Sequence, residues 1–170
     1  MPLMPIADLL LPEFDMEIAT TRRVLQRVPD DRAEWKPHEK SFPMAHLAQL
    51  VSMMPSWAGL MIAQAEMDIA PKEGKRGGYT TEKTEKLLAE FDRNVAAARD
   101  AIAGTTDEAF NEPWTLKSGG HTVVQGTRYL MMRTLLFNHL VHHRAQLGVY
   151  LRLVDVPVPS MYGPTADEQV

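Results

Sequence analysis

The segment FNHLVHHRAQLGVYLRL, residues 137–153, carries the clearest pattern in this sequence. Residues three or four positions apart lie on the same face of an α-helix. One such face, extended toward the N-terminus, reads Met132, Leu136, His139, His143, Leu147 and Tyr150. The pattern predicts an amphipathic helix over residues 127–154 whose inner face is apolar except for two imidazoles.

Three further helices are predicted from the same spacing, over residues 6–28, 42–66 and 80–103. The segment 71–79 between the second and third is glycine-rich and long enough for a crossover connection. Four amphipathic helices with almost no strand predict an all-α fold, a four-helix bundle forming one domain over residues 1–170.

Polar and proline residues set the expected helix boundaries. Ser41 is interpreted as the N-cap of the second helix, and the pair Thr80-Thr81 as the cap of the third. Pro12 and Pro55 each lack a backbone N–H, which favours a break or a kink at those positions.

The remaining segments lack a helical pattern. Around Ser118-Gly119-Gly120, the sequence between residues 105 and 126 favours either a small hairpin or an irregular loop. The tail from residue 156 onward contains too many prolines for a helix and is expected to be extended, folding back over the bundle.

Composition excludes several classes of function. The chain has 170 residues, 45% hydrophobic and 24% charged, which is ordinary for one soluble domain. Its net charge is −4 and no basic face is visible, which argues against nucleic-acid binding. No apolar stretch approaches the ~18 residues of a membrane span, and no signal peptide is apparent, so a cytoplasmic location is expected.

The sequence contains no cysteine. This excludes disulfides, thiolate metal ligands from the protein and a cysteine nucleophile. Any thiol chemistry must therefore use a thiol supplied from outside.

Histidines supply the best candidate site. His139 and His143 are four residues apart, so both imidazoles can reach one ion on the same helix face. A third ligand must come from another helix, and His46 begins the apolar stripe of the second helix. Buried imidazoles need polar partners, and a shared cation would satisfy all three. Ordinary core histidines bonded to backbone carbonyls remain the alternative.

The spacing excludes one familiar type of enzyme. Leu140 stands where the H-E-x-x-H motif of zinc proteases has its glutamate base. A protease of that type is not supported.

Several motifs together resemble those of the DinB-like proteins. They are HLVHHRAQL (residues 139–147), YLR (150–152), PVP (157–159), YGPTADE (162–168), WKPHEKS (35–41) and MAHL (44–47). The resemblance spans both ends of the chain in order. It departs from the family pattern at Ala145, where these proteins usually have glycine.

The resemblance implies a four-helix bundle with a long crossover, often a homodimer, and a three-histidine metal site. Its ligands map onto His46, His139 and His143. Relatives in the wider superfamily are thiol-dependent transferases and isomerases that use bacillithiol, mycothiol or glutathione. A divalent transition metal, Zn or Ni, and a low-molecular-weight thiol are therefore the expected cofactors.

Three functions stay open from the sequence. The first is a metal-dependent thiol S-transferase or related detoxification enzyme acting on a small-molecule substrate. The second is a metal-dependent hydrolase, which needs a carboxylate base. The third is a metal-stabilised stress-response bundle without catalysis.

Catalytic side chains are not assigned by the sequence. Arg144, Gln146 and Tyr150 are candidates for orienting a substrate, although Arg144 is equally consistent with a surface residue or a salt bridge. Glu13, Asp15 and Glu17 are candidate bases, but we interpret all three as a solvated helix face.

Overall fold

The computed structural model describes residues 4–71 and 83–169. Helices dominate, and a small sheet lies beside them. The helices are α1 (Ile6–Leu25), α2 (Met44–Met53), α3 (Trp57–Ala63), α4 (Thr84–Ala103), α5 (Asp107–Asn111), α6 (Arg128–Met132) and α7 (His139–Leu153). The strands are β1 (Glu66–Asp68), β2 (Pro113–Ser118) and β3 (His121–Thr127). None of the helices described is long and apolar enough to cross a membrane.

The core lies between the long helices. Helices α1 and α2 each pack against both α4 and α7. The predicted apolar stripes face inward, because Phe14 of α1, Phe91 of α4 and Leu147 of α7 are each at most 2% exposed. Burial of such stripes is the main stabilising contribution to helix packing.

The first and third predicted helices are largely confirmed. Helix α1 is continuous through Pro12 and ends at Leu25, three residues before the predicted end. Helix α4 begins at Thr84, whose N–H donates to Asp30 Oδ1 at 2.8 Å. The predicted Thr80-Thr81 cap, and all of the predicted glycine-rich loop after Pro71, lie outside the described residues.

The second predicted helix is interrupted. A 3₁₀ turn over Met54–Ser56 separates α2 from α3, as expected where Pro55 removes a hydrogen-bond donor. The N-cap prediction for Ser41 is wrong. Pro43 occupies the cap position, and backbone carbonyls of the preceding loop satisfy the first helical N–H groups instead.

The all-α prediction omitted a small three-stranded sheet. Strand β2 pairs antiparallel with β3, which confirms the hairpin alternative, and β1 pairs parallel with β2. The hairpin turn places Gly119 and Gly120 at φ of +60° and +84°, where a side chain would be strained. The Asp68 carboxylate accepts hydrogen bonds from both glycine N–H groups and so ties β1 to the turn.

The fourth predicted helix changes its winding in the middle. Helix α6 begins at the predicted position, with the Thr127 side chain accepting from the N–H of Leu130. A π-helical segment, Arg133–Asn138, then joins α6 to α7. Such wide turns occur often at functional sites, and this one ends directly before His139.

Candidate metal centre

The first turn of α7 brings two predicted ligands together. The Nε2 atoms of His139 and His143 lie 2.8 Å apart, and their ring centroids are 4.5 Å apart. The His143 side chain belongs to the core at 9% exposure, and His139 is half-buried. The helical spacing and the inward orientation predicted for this pair are confirmed.

A hydrogen bond on the other side of the His143 ring indicates which of its nitrogens carries the proton. His143 Nδ1 lies 2.8 Å from Gln146 Oε1, and because an amide oxygen only accepts, Nδ1 is the donor. Burial is the main cause that lowers the pKa of His139, and the Leu135 backbone partly opposes it.

The Nε2 lone pair of His143 therefore points at His139 Nε2 across 2.8 Å. It can accept the N–H of a neutral His139 or, where His139 also carries its proton on Nδ1, share a cation with that ring. Burial lowers the pKa of His139 and of His143, so both imidazoles favour the neutral form that can bind a metal ion. Two nitrogen ligands, each ~2.1 Å from one tetrahedral ion, would lie about 3.4 Å apart, so the donor chemistry suits a metal ion and the two rings would separate slightly to hold it.

The third predicted ligand is not part of this pair. The ring of His46 stacks on Phe42, with centroids 4.1 Å apart, and burial lowers the pKa of His46. Within residues 4–71 and 83–169, no group of three or more His, Cys, Asp or Glu side chains is close enough to hold one ion.

His46 nevertheless lies on a helix that packs against α7. The Tyr150 hydroxyl donates to the carbonyl of Phe42 at 3.2 Å, while the rings of Trp57 and His139 lie 5.7 Å apart. The α2–α3 segment therefore runs antiparallel to α7. Along the chain, His46 lies between Phe42 and Trp57, the two contact residues of α2–α3. His143 likewise lies between His139 and Tyr150, the two contact residues of α7.

The other histidines occupy the positions expected from sequence. The side chains of His38, His121 and His142 are all exposed. The His142 ring lies 4.9 Å from that of His143 but on the outer face of α7. It provides a matched control for experiments on the buried pair.

A cavity of about 200 Å³ adjoins the histidine pair. It lies between the sheet and the helices, and sequence analysis did not foresee it because its walls come from distant segments. The lining residues are Trp57, Met61, Met67, Ile69, Trp114, Leu116, Leu135 and His139.

Comparison with known proteins agrees with this architecture. The family model described as "DinB family" matches residues 4–169. The chain belongs to the DinB family. The family resemblance inferred from the motifs is therefore confirmed, while no curated protein matches the sequence.

Two solved structures share the fold of this DinB-family chain. A DinB-like protein from Bacillus cereus has a TM-score of 0.69 at 18% identity, covering 93% of this chain and 98% of its own. A DinB-like protein from Bacillus subtilis has a TM-score of 0.63 at 14% identity, covering 94% and 98%. At these identities the likeness concerns the fold.

Two motifs of this DinB-family chain meet through a buried arginine. Arg144 is 1% exposed and donates to the carbonyl of Glu17, to Thr21 Oγ1 and to the Tyr162 hydroxyl at 2.7–3.1 Å. The Glu17 carboxylate lies 2.7 Å from the Arg144 guanidinium and also accepts from Tyr162. This guanidinium thus joins HLVHHRAQL to YGPTADE.

The interpretation of Glu17 as a solvated residue is wrong. Its side chain is only 13% exposed because it pairs with Arg144. The signal was present in the spacing, since Glu17 shares the inward face of α1 with Phe14 and Thr21. Both terminal nitrogens of Arg144 are engaged in this network, while its buried Nε has no hydrogen-bond partner. The sequence interpretation of Arg144 as a salt-bridge residue is the one that this geometry supports.

The tail folds back onto the helices, as predicted. The Asp167 carboxylate pairs with Arg152 and accepts from the Val158 N–H at 2.9 Å. The Glu168 carboxylate pairs with Arg23 and accepts from the backbone N–H of Ser160. The acidic residues of YGPTADE therefore hold the tail in place.

Proposed function

We propose that this DinB-family protein holds one divalent transition metal ion, Zn or Ni, on His46, His139 and His143. We propose further that it is a metal-dependent thiol S-transferase that acts on a small electrophile in detoxification or stress response. The observation that supports this best is the close approach of the His139 and His143 Nε2 atoms, 2.8 Å apart, on the inner face of α7.

The donor set suits such an ion. Imidazole nitrogens are good ligands for zinc, nickel, iron and copper. Ligating histidines in proteins usually donate their second ring N–H to a carbonyl, carboxylate or water, which fixes the ring and its tautomer. Gln146 and the Leu135 backbone occupy those positions for His143 and His139. His46 is the proposed third ligand because it lies on α2, which packs against α7.

The chain lacks the thiol that this chemistry requires. A metal ion, when bound, lowers the pKa of a coordinated thiol so that the nucleophilic thiolate prevails near neutral pH. Because the protein has no cysteine, the thiol must be a small molecule such as bacillithiol, mycothiol or glutathione. The protein's own contribution is to hold the imidazoles neutral and oriented, and to exclude water on the side of Trp57.

Hydrolysis is less well supported because the carboxylates that the sequence offered as bases, all within the described residues, already have cationic partners. The three acidic candidates of α1 are engaged in ion pairs, Glu13 with Arg133, Asp15 with Arg99 and Glu17 with Arg144. A purely structural metal site would not need a cavity beside it. The cavity at His139 therefore favours the enzyme over the non-catalytic bundle.

We also infer the finer features of the fold from the helix packing. The mutual packing of α1, α2, α4 and α7 supports a four-helix bundle whose long crossover connects α3 to α4. Val149 and Leu153 of α7 are 58% and 55% exposed, which supports a homodimer through this helix face.

A thiol-transfer assay tests the function. The protein is purified without a nickel column, stripped of metal, reloaded with Zn²⁺ or Ni²⁺, and mixed with a thiol and 1-chloro-2,4-dinitrobenzene. Glutathione, bacillithiol and mycothiol are compared as thiols. We expect the reloaded protein to form the thioether at least about tenfold faster than the stripped protein, because a positioned thiolate replaces a mostly protonated thiol.

The same assay includes His139→Ala and, as the matched control, His142→Ala. The first variant should match the stripped protein, and the second should retain the wild-type rate. A reloaded wild-type protein that binds metal yet transfers no thiol with any of the three would exclude the transferase and leave the metal-stabilised bundle.

The Gln146 side chain gives a further prediction. Gln146→Leu removes the acceptor for His143 Nδ1, so the affinity for Zn²⁺ should fall by about 10–100-fold, the usual effect of losing such a partner. Gln146→Glu keeps an acceptor and should keep the affinity. Titration against a chromophoric chelator measures both variants. Equal affinities in the Gln146→Leu variant and the wild-type protein would contradict the proposed tautomer.

A further inference from the structure

We propose that the cavity beside His139 binds the apolar part of the substrate, a group about the size of one aromatic ring that carries no charge. Its assignment to a substrate rests on the function proposed above, whereas the binding itself does not. Four observations on the cavity carry this inference: its walls, its size, its position and its rim.

The walls exclude a charged group. Seven of the eight lining residues are hydrophobic, and the atoms that face the cavity are apolar. A charged ligand group would lose its hydration here without gaining a partner, which disfavours its binding. Two indole rings, of Trp57 and Trp114, instead offer aromatic surface to a ring-shaped ligand.

The size sets an upper limit on the ligand. The volume is about 200 Å³, below the range of roughly 300–1,000 Å³ usual for drug-sized ligands. An engineered apolar cavity of about 150 Å³ in another protein stays dry and binds benzene. The present cavity therefore admits a single ring with a few small substituents.

The position links the cavity to the proposed reaction. The His139 ring forms part of the wall, and its Nε2 atom faces His143. The ring of Trp57, which also lines the cavity, lies 5.7 Å from that imidazole. A ring seated in the cavity would therefore present its substituents within one side-chain length of the proposed metal ligands.

One residue that lines the cavity, Ile69, is also exposed at the surface and can be substituted without disturbing the core. Ile69 lines the cavity but is 54% exposed, and its backbone N–H bonds to the carbonyl of Lys117. A substitution there alters the entrance without removing buried core. Val123 of β3 is similarly exposed, at 58%, and does not line the cavity. It serves as the control position.

Binding is tested with toluene on the full-length, metal-stripped protein. The chain has three tryptophans, so the ¹H–¹⁵N spectrum contains three indole signals. We expect saturable shifts of the Trp57 and Trp114 signals and none for Trp35, which packs on Tyr150. Benzoate, a charged ring of similar size, should bind at least about tenfold more weakly.

Ile69→Lys should weaken toluene binding at least fivefold, while Val123→Lys should leave it unchanged. Shifts spread equally over all three indoles, benzoate binding as tight as toluene, or no saturable shift would each overturn the proposal.

A second measurement tests the role of the cavity in the reaction. Toluene should compete with 1-chloro-2,4-dinitrobenzene in the thiol-transfer assay. It should raise the apparent KM for 1-chloro-2,4-dinitrobenzene and leave kcat unchanged. Non-competitive inhibition would overturn the assignment to the substrate. Absence of transferase activity with toluene bound as expected would remove the proposed function but keep the binding site, so the two failures are distinguishable.

Discussion

Replacing His143 by alanine is expected to lower the affinity for Zn²⁺ by more than about a hundredfold. This exceeds the effect of about 10–100-fold that is usual when a residue hydrogen-bonded to a metal ligand is lost. The substitution removes one of the two Nε2 atoms that face each other at 2.8 Å. Elemental analysis should find about one metal ion per wild-type chain purified without a nickel column, and little in the variant. Chelator competition then gives the ratio of affinities.

Two further variants sharpen this result. His142→Ala removes an exposed imidazole from the adjacent position and should change neither the metal content nor the affinity. His46→Ala should lose metal as His143→Ala does, because we propose His46 as the third ligand. A wild-type protein that takes up no metal even after reconstitution would exclude the three-histidine site altogether.

Replacing Arg144 by alanine is expected to lower the free energy of unfolding by about 3–5 kcal/mol, the usual effect of removing one partner from a buried ion pair. The guanidinium is 1% exposed and contacts α1 and the tail together. Its loss leaves the Glu17 carboxylate buried without a cation. Urea unfolding followed by circular dichroism measures the change.

Arg152→Ala is the matched control, since Arg152 also joins α7 to the tail but its side chain is 47% exposed. Solvent screens that pair, so the loss should be much smaller. A double variant, Glu17→Gln with Arg144→Met, should recover part of the stability because neither charge then remains buried. If Arg144→Ala is no more destabilising than Arg152→Ala, the buried pair does not stabilise the fold.

The long helices were predictable because their stabilisation is local. Apolar side chains three and four residues apart define α1, α4 and α7, and burial of those stripes determines how the helices pack. The orientation of His139 and His143 followed from the same periodicity. The spacing also indicated that Glu17 lies on the buried face of α1. The sequence interpretation as a solvated residue followed instead from the general exposure of acidic side chains.

Features that depend on distant segments were not predictable. Strand β1 has only three residues, and its pairing partner in β2 lies about fifty residues away along the chain, so no local pattern marks it. The cavity draws its walls from α3, β1, β2 and the segment before α7. The role of Gln146 depends on which nitrogen of His143 is protonated, and a sequence does not record tautomers.

The π-helical segment Arg133–Asn138 also has a consequence for comparing homologous sequences. A wide turn of this kind accommodates one residue more than an α-helical turn. Each residue advances an α-helix by about 100°, and the wide turn absorbs one residue without rotating the helix that follows. A homologue one residue shorter can therefore keep the inward face of α7 by forming an ordinary α-helical turn here. An alignment gap placed in the loop before α6 would then pair each residue of α6 with the wrong neighbour. The gap belongs inside the helix, and its presence or absence separates homologues without the wide turn from those that have it.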